Sequence, residues 1–501
     1  MSEGILAALM PASLFFAAVG VLLGIIIGAI PGLTATFGIA LLIPVTFLMP
    51  PAHGMIMLVG IYAGAIYGGS ISAILLNIPG TPASIVSGWE GNAMARNGKA
   101  PLALGISAVG AGIGGTISAI ALMFMTPTLA QLALKFGAPE YVMLVVFSLA
   151  IVIIMLPTSL IANMVGVFVG LLLAAIGLDP ISGSPRFTFG LYQLYSGLGV
   201  VAVLIGFFCL PQAIVLGVEA ISKRTTTPVG HVGATKPKQV FSQIFSDRWL
   251  LLRLIGTAMG ILPAVGPEST PLIAHSISRR FSKNPKEYGN GSASGLLSAD
   301  SSVCANVGGS LIPLLALGIP GSGAAAVFIG ALTLHGLRPG PLLFTEEPEL
   351  MYTFFTGFFV VNLLIAVIGS YGARYLAHLL KLPAAGLASF IIFFSIFGSY
   401  AVNTSVFDIW IMFASAALAI IFALIGIPIL PVVLSFILGG VLESNLGVAL
   451  ARADGISYFF SRPIFIGLVI ITLAIMLIGI WRRAKGNSSA SNGFQKPEFK
   501  E

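Results

Sequence analysis

Long apolar runs separated by short polar stretches pattern the whole chain. No Asp, Glu, Lys or Arg occurs over residues 4–89, 100–134, 141–178 or 187–218. The second half repeats the habit over 301–337, 350–373, 382–407, 409–442 and 463–481. A membrane-spanning helix needs about 20 mostly apolar residues, so these runs predict roughly ten to twelve spans. The last five are expected near 351–373, 383–404, 406–425, 428–448 and 463–481. The fold class is therefore an all-α polytopic membrane protein lying in a lipid bilayer.

Pro-Gly pairs interrupt several of these runs. Proline removes a backbone donor and clashes with the preceding turn. Bare backbone groups are not tolerated against lipid, so such breaks persist where they face protein or a water-filled cavity. The first half carries Gly28-Ala29-Ile30-Pro31-Gly32, then Gly68-Gly69-Ser70, then Ile78-Pro79-Gly80-Thr81. The second carries Gly260-Ile261-Leu262-Pro263-Ala264, then Gly308-Gly309-Ser310, then Ile319-Pro320-Gly321-Ser322. Their order is kept, and the interval from Gly69 to Gly80 differs by one residue from that between Gly309 and Gly321. A basic loop follows each second Pro-Gly, Gly98-Lys99-Ala100-Pro101 in one half and Leu337-Arg338-Pro339-Gly340 in the other. Arg96 and Lys99 suggest an inner position for the first, and the acidic neighbours of Arg338 an outer one for the second. Corresponding loops on opposite faces are the mark of inverted-topology repeats with re-entrant or broken helices. The expected organisation is a first membrane repeat over 1–220, a cytoplasmic linker over 221–250, a second repeat over 251–481 and a cytoplasmic disordered tail over 482–501.

A helix restarted after a Pro-Gly break presents free N–H groups at its positive end, and a nearby hydroxyl completes an anion site without Lys or Arg. Carbonyls freed at the other end suit Na⁺. The residues expected to line a midplane substrate site are Thr34, Thr36, Gly69, Ser70, Asn77, Pro79, Gly80 and Thr81 from the first half. Gly266, Asn306, Gly309, Ser310, Pro320, Gly321 and Ser322 complete it from the second. The backbone N–H groups of Gly80 and Gly321 are expected to assist. Against this stands the plainer reading that the prolines are kinks and the glycines serve close helix packing. Ionisable groups within apolar runs are expensive and usually functional. Asp408 is thus a candidate for ion coupling, although bracing a helix end near Asn403-Thr404 explains it equally well. Glu268 can line the site or belong to a cytoplasmic rim, and Glu443 suits an interface. His53 and His275 receive no role.

Composition agrees with the pattern: 57% of residues are hydrophobic and 8% charged, with a mean hydropathy of +1.04. A soluble domain carries roughly 25% charged residues. The net charge of +7 does not indicate nucleic acid, because the basic residues occupy short loops. Basic loops report the cytoplasmic side, which places 223–253, 279–286 and the tail from Arg482, and hence the C-terminus, inside. Met1-Ser2-Glu3 lacks a basic leader region, so the first helix is expected to act as its own insertion signal. Cys209 and Cys304 lie far apart in apolar stretches and read as buried thiols. No P-loop, G-x-S-x-G elbow or H-E-x-x-H occurs, so neither ATP hydrolysis nor an enzyme is indicated, and no cofactor is expected.

The blocks at 20–47 (GVLLGIIIGAIPGLTATFGIALLIPVTF), 61–104 (with GGSISAILLNIPGTPAS) and 308–332 (GGSLIPLLALGIPGSGAAAVFIGAL) resemble the large membrane subunit of the tripartite tricarboxylate transporters, the TctA family. Echoes at 177–190, 260–266, 282–300, 403–408, 440–443 and 454–464 extend the resemblance over almost the whole chain. The chain departs from the family pattern at Glu90-Gly91, where Asp-Gly is usual, and at Asp300 to Asn306, where Glu-x-x-Asn-Asn-Ala is usual. The resemblance implies a secondary transporter of the bacterial inner membrane that works with a small membrane subunit (TctB-like) and a periplasmic substrate-binding protein (TctC-like). It implies uptake of a di- or tricarboxylate driven by Na⁺ or H⁺. The alternative is a stand-alone permease for small organic anions.

Overall fold

The computed structural model describes residues 2–156, 158–221, 239–240, 242, 254–262, 265–376, 384–452 and 457–486. The first half comprises α1 (Ser2–Ala8), α2 (Pro11–Ala29), α3 (Ala35–Phe47), α4 (Pro51–Leu76), α5 (Ile85–Met94), α6 (Ala100–Ala133), α7 (Ala138–Met155), α8 (Leu160–Ala174) and α9 (Val200–Ile221). The second half begins with α10 (Leu254–Ile261), α11 (Thr270–Phe281), α12 (Ala293–Leu317), α13 (Gly323–Leu334) and α14 (Leu343–Glu346). It continues with α15 (Pro348–Leu376), α16 (Ala384–Asn403), α17 (Val406–Ile425), α18 (Ile429–Arg452), α19 (Ser457–Phe460) and α20 (Pro463–Gly486). Two-residue strands, Gly177–Leu178 and Pro185–Arg186, pair antiparallel in the α8–α9 connection.

Eleven of the described helical segments are long and apolar enough to cross a membrane, within the ten to twelve expected. The five spans anticipated after residue 350 appear as α15, α16, α17, α18 and α20. The expected linker 221–250 lies, beyond Ile221, almost wholly outside the described residues, as do Pro263, Ala264 and residues 487–501 of the expected tail.

α4 and α12 form the centre. In each, 94% of the most apolar stretch is buried, against 11% in α20. Such burial requires a neighbour on every side, and small residues supply the close contacts. Gly20, Gly24 and Gly28 of α2 rest on the carbonyls of Met57, Ile61 and Ala65 of α4, while Gly60, Gly64 and Gly68 of α4 face α2 in return. A Cβ on Gly24 would lie 2.5 Å from Ile61 O. In the second half Gly256 and Gly260 of α10 meet the Ser302 and Asn306 carbonyls of α12, and Gly309 faces Thr257. With no gain from moving apolar groups out of lipid, such close backbone approach is what binds membrane helices.

Both central helices end in left-handed residues, Asn77 (φ 58°) and Gly318 (φ 75°). Asn and Gly are the residues that tolerate this conformation best. The chain then breaks and restarts. Ser322 caps α13 by accepting from Ala325 N at 3.1 Å, and Thr34 caps α3 by accepting from Phe37 N at 3.2 Å. α3 and α13 have 13 and 12 residues, too short to cross a bilayer core about 30 Å thick at about 1.5 Å per residue.

Candidate functional site

The breaks converge on a partly open cavity of about 290 Å³. Gly32, Thr34, Thr36 and Phe37 line it from the first break and the start of α3, and Thr81, Pro82 and Ala83 from the break after α4. Pro267 and Glu268 contribute from the break between α10 and α11, and Gly323 and Ala324 from the start of α13. Phe207, Phe208, Pro211 and Gln212 of α9 and Ile429 and Leu430 of α18 close it.

Three of the anticipated hydroxyls, Thr34, Thr36 and Thr81, therefore share the cavity. Thr34 Oγ1 accepts from a backbone N–H in its capping role, so its own hydroxyl hydrogen remains available to donate. The buried Thr81 Oγ1 makes no hydrogen bond among the described residues. Gln212 was not anticipated. It is the one amide in the apolar helix α9, directly after Pro211, and that isolation is the signal that would have pointed to it. A Cβ on Gly32 would lie 2.7 Å from Gln212 Nε2. Glu268 is the only charged residue among the described residues of the lining. A carboxylate oxygen of Glu268 sits over Gly266, where an added Cβ would overlap it.

The other anticipated residues hold the framework around the cavity. Gly80 N–H donates to Gly69 O at 3.3 Å, and Gly80 O accepts from Gly32 N at 3.2 Å, so the first two breaks are tied together. The Gly80 N–H is thus already bonded within the protein. Gly321 packs on Gly260, a Cβ there lying 2.5 Å from Gly260 O. Asn306 Nδ2 donates to Val265 O and Thr270 Oγ1, both at 2.9 Å, and so clamps the break ahead of α11. Ser310 and Ser322 both hydrogen-bond the Tyr62 hydroxyl, at 3.1 and 2.7 Å. Pro79 and Pro320 stay within the breaks, and Asn77 is the exposed helix end described above.

Ser70 turns elsewhere. Its hydroxyl donates to Asp300 Oδ1 at 2.9 Å, and the Ser87 hydroxyl donates to the same atom at 2.6 Å. Asp300 is 3% exposed, and its Oδ2 has no hydrogen-bond partner by the same geometry among the described residues. Asp408 lies in the first turn of α17, apart from the cavity. Its Oδ2 accepts from Asn403 Nδ2 at 2.7 Å, and its backbone oxygen accepts from Ser399. That is the helix-bracing arrangement weighed above. Glu443 pairs with Arg186 of the α8–α9 connection. His275 and Glu90 also form a buried cluster, with Nε2 and Oε1 2.6 Å apart.

A wider cleft of about 860 Å³ opens among the 133–141, 173–200 and 317–342 segments and α18. α9, α13 and α18 line both spaces: Val200, Ile329 and Phe436 face the cleft, and Phe207, Gly323 and Leu430 the cavity. Arg338 is exposed at the cleft.

The chain is thus an all-α polytopic membrane protein whose broken helices meet at a largely apolar cavity carrying a few hydroxyl, amide and carboxylate groups. The chain belongs to the tripartite tricarboxylate transporter TctA family, whose sequence profile matches residues 14–434. It is 34% identical over 484 residues (96% of this chain, 95% of the relative) to an Agrobacterium vitis protein described as an uncharacterized 52.8 kDa protein in the TAR-I ttuC' 3'region. A second Agrobacterium vitis protein, described as uncharacterized in the TAR-II ttuC' 3'region, is 31% identical over 228 residues (44% of this chain, 94% of the relative). No solved structure matches the chain.

Proposed function

We propose that this subunit passes a citrate-like di- or tricarboxylate inward across the bacterial inner membrane, driven by a Na⁺ or H⁺ gradient. A periplasmic binding protein delivers the substrate and a small membrane subunit completes the complex. The observation that carries this reading is the convergence of broken helices on a cavity lined by Thr34, Thr36, Thr81 and Gln212. Hydroxyl and amide donors orient a carboxylate by charge-assisted hydrogen bonds. The cleft supplies the access route along α9, α13 and α18, on the face of Arg338, which its acidic neighbours place outside. The matched glycine contacts of α2 with α4 and of α10 with α12 support two repeats, and the opposite charge settings of the 98–101 and 337–340 loops support their inversion. Transport then moves the break-bearing helices against the peripheral ones, with the C-terminus in the cytoplasm.

The test reconstitutes the chain with its membrane partner in proteoliposomes and follows labelled citrate and other carboxylates, with and without binding protein, under each gradient. Gradient-driven uptake that requires the binding protein is expected. Undiminished uptake without it points to a stand-alone permease, and no movement of any carboxylate overturns the substrate class.

A further inference from the structure

Glu268 sets a constraint on the order of binding. Among the described residues it is the one charged group on the cavity lining, with no Lys or Arg beside it. Thr34, Thr36, Thr81 and Gln212 offer hydrogen bonds, and the starts of α3 and α13 partial positive charge, but among the described lining residues there is no cationic side chain. An ionised Glu268, exposed to the cavity, and a carboxylate substrate confined with it in about 290 Å³ would repel one another.

The groups around Glu268 do not relieve it. The titratable side chains on the packed elements include Tyr62 and Tyr67 of α4, whose His53 lies at the far start of the helix, Cys209 of α9, Asp300 and the buried Cys304 of α12, and His275 of α11. Tyr62 is bonded to Ser310 and Ser322, His275 to Glu90, and Asp300 to Ser70 and Ser87. Cys209 is buried and points to Phe37 O. α3 and α13 contribute no titratable group, and Glu443 of α18 pairs with Arg186 at the outer cleft. Arg279 and Arg280 stand at the opposite end of α11.

We infer that Glu268 takes up one positive charge, a proton or a Na⁺ ion, before the cavity accepts a carboxylate. The coupling between gradient and substrate thus resides at Glu268. Gly266 is part of the device, because its missing side chain leaves room for the Glu268 carboxylate. Cation and substrate then raise one another's affinity reciprocally. The inference rests on the carboxylate reading above and locates the ion that reading leaves unplaced.

The test uses proteoliposomes containing the complex, with wild type, Glu268→Gln and Glu268→Asp. Wild type is expected to bind labelled carboxylate more tightly with either Na⁺ at fixed pH or lower pH without Na⁺, and the effective arm names the ion. Glu268→Gln, permanently neutral, should lose accumulation above the external level, and whatever exchange of labelled for unlabelled carboxylate it retains should be indifferent to Na⁺ and to pH. Its binding should no longer respond to either cation. Glu268→Asp should retain part of the gradient dependence. Gradient-driven accumulation that survives in Glu268→Gln overturns the inference. A lowered melting temperature with unchanged cation dependence also overturns it, since that marks Glu268 as only the acid at the start of α11. Failure of wild type to exchange any carboxylate instead removes the functional reading beneath it.

Discussion

The Tyr62 hydroxyl lies 2.7 Å from Ser322 Oγ, so a side chain of α4 holds the residue that caps α13, 260 positions along the chain. Tyr62 is fully buried and also reaches Ser310. One phenol thereby ties the centre of the first half to the second break of the other half.

Tyr62→Phe keeps the ring and removes this tie. The cost is expected to be about 1 kcal/mol, read as a lowered melting temperature in detergent. Carboxylate uptake should fall further than that stability loss explains, because the start of α13 borders the cavity. Unchanged uptake would separate the tie from the site.

Gly28 and Gly80 meet where two breaks touch, and a Cβ on Gly80 would overlap Gly28 O and lie 2.6 Å from Ser72 Oγ. Gly80→Val should abolish uptake while membrane insertion, followed by immunoblot, persists. The overpacking cost is about 1–3 kcal/mol. Gly467→Ala is the control, since open space surrounds that position on α20, and it should transport normally.

Asp300 is the shared acceptor of two buried hydroxyls. Asp300→Leu strands Ser70 and Ser87 and should destabilise the protein by about 1–3 kcal/mol. Asp300→Asn retains an accepting oxygen and should cost less. Thermal unfolding of both variants in one detergent gives the comparison, and equal melting temperatures would show that the hydroxyls find other partners.

Glu90 is fully buried and receives backbone N–H groups from Gly289 (2.6 Å), Gly291 (3.0 Å) and Ser292 (2.8 Å). With His275 beside it, this carboxylate pins the loop between α11 and α12 to α5. Glu90→Ala leaves those donors unpaired and should expose the loop to protease in membrane vesicles, with cleavage between residues 282 and 292. Wild-type resistance in the variant would show that packing alone holds the loop.

The spans and the breaks were legible in the sequence because both are local. A run of about 20 apolar residues is set by bilayer thickness, and a Pro-Gly pair disrupts a helix wherever it stands. Thr34, Thr36 and Thr81 could be picked for the same reason, each lying at or within a few residues of a break. Tertiary structure alone decided which way the remaining side chains face. Adjacent residues on an α-helix diverge by about 100°, so Gly68, Gly69 and Ser70 serve three different neighbours: Gly68 packs on α2, Gly69 lies against Thr81, and Ser70 reaches Asp300. Tyr62 and Gln212 sit inside apolar runs, and their partners lie on helices distant in the chain. Helix rotation and long-range packing, which no short window of sequence records, brought them to the breaks.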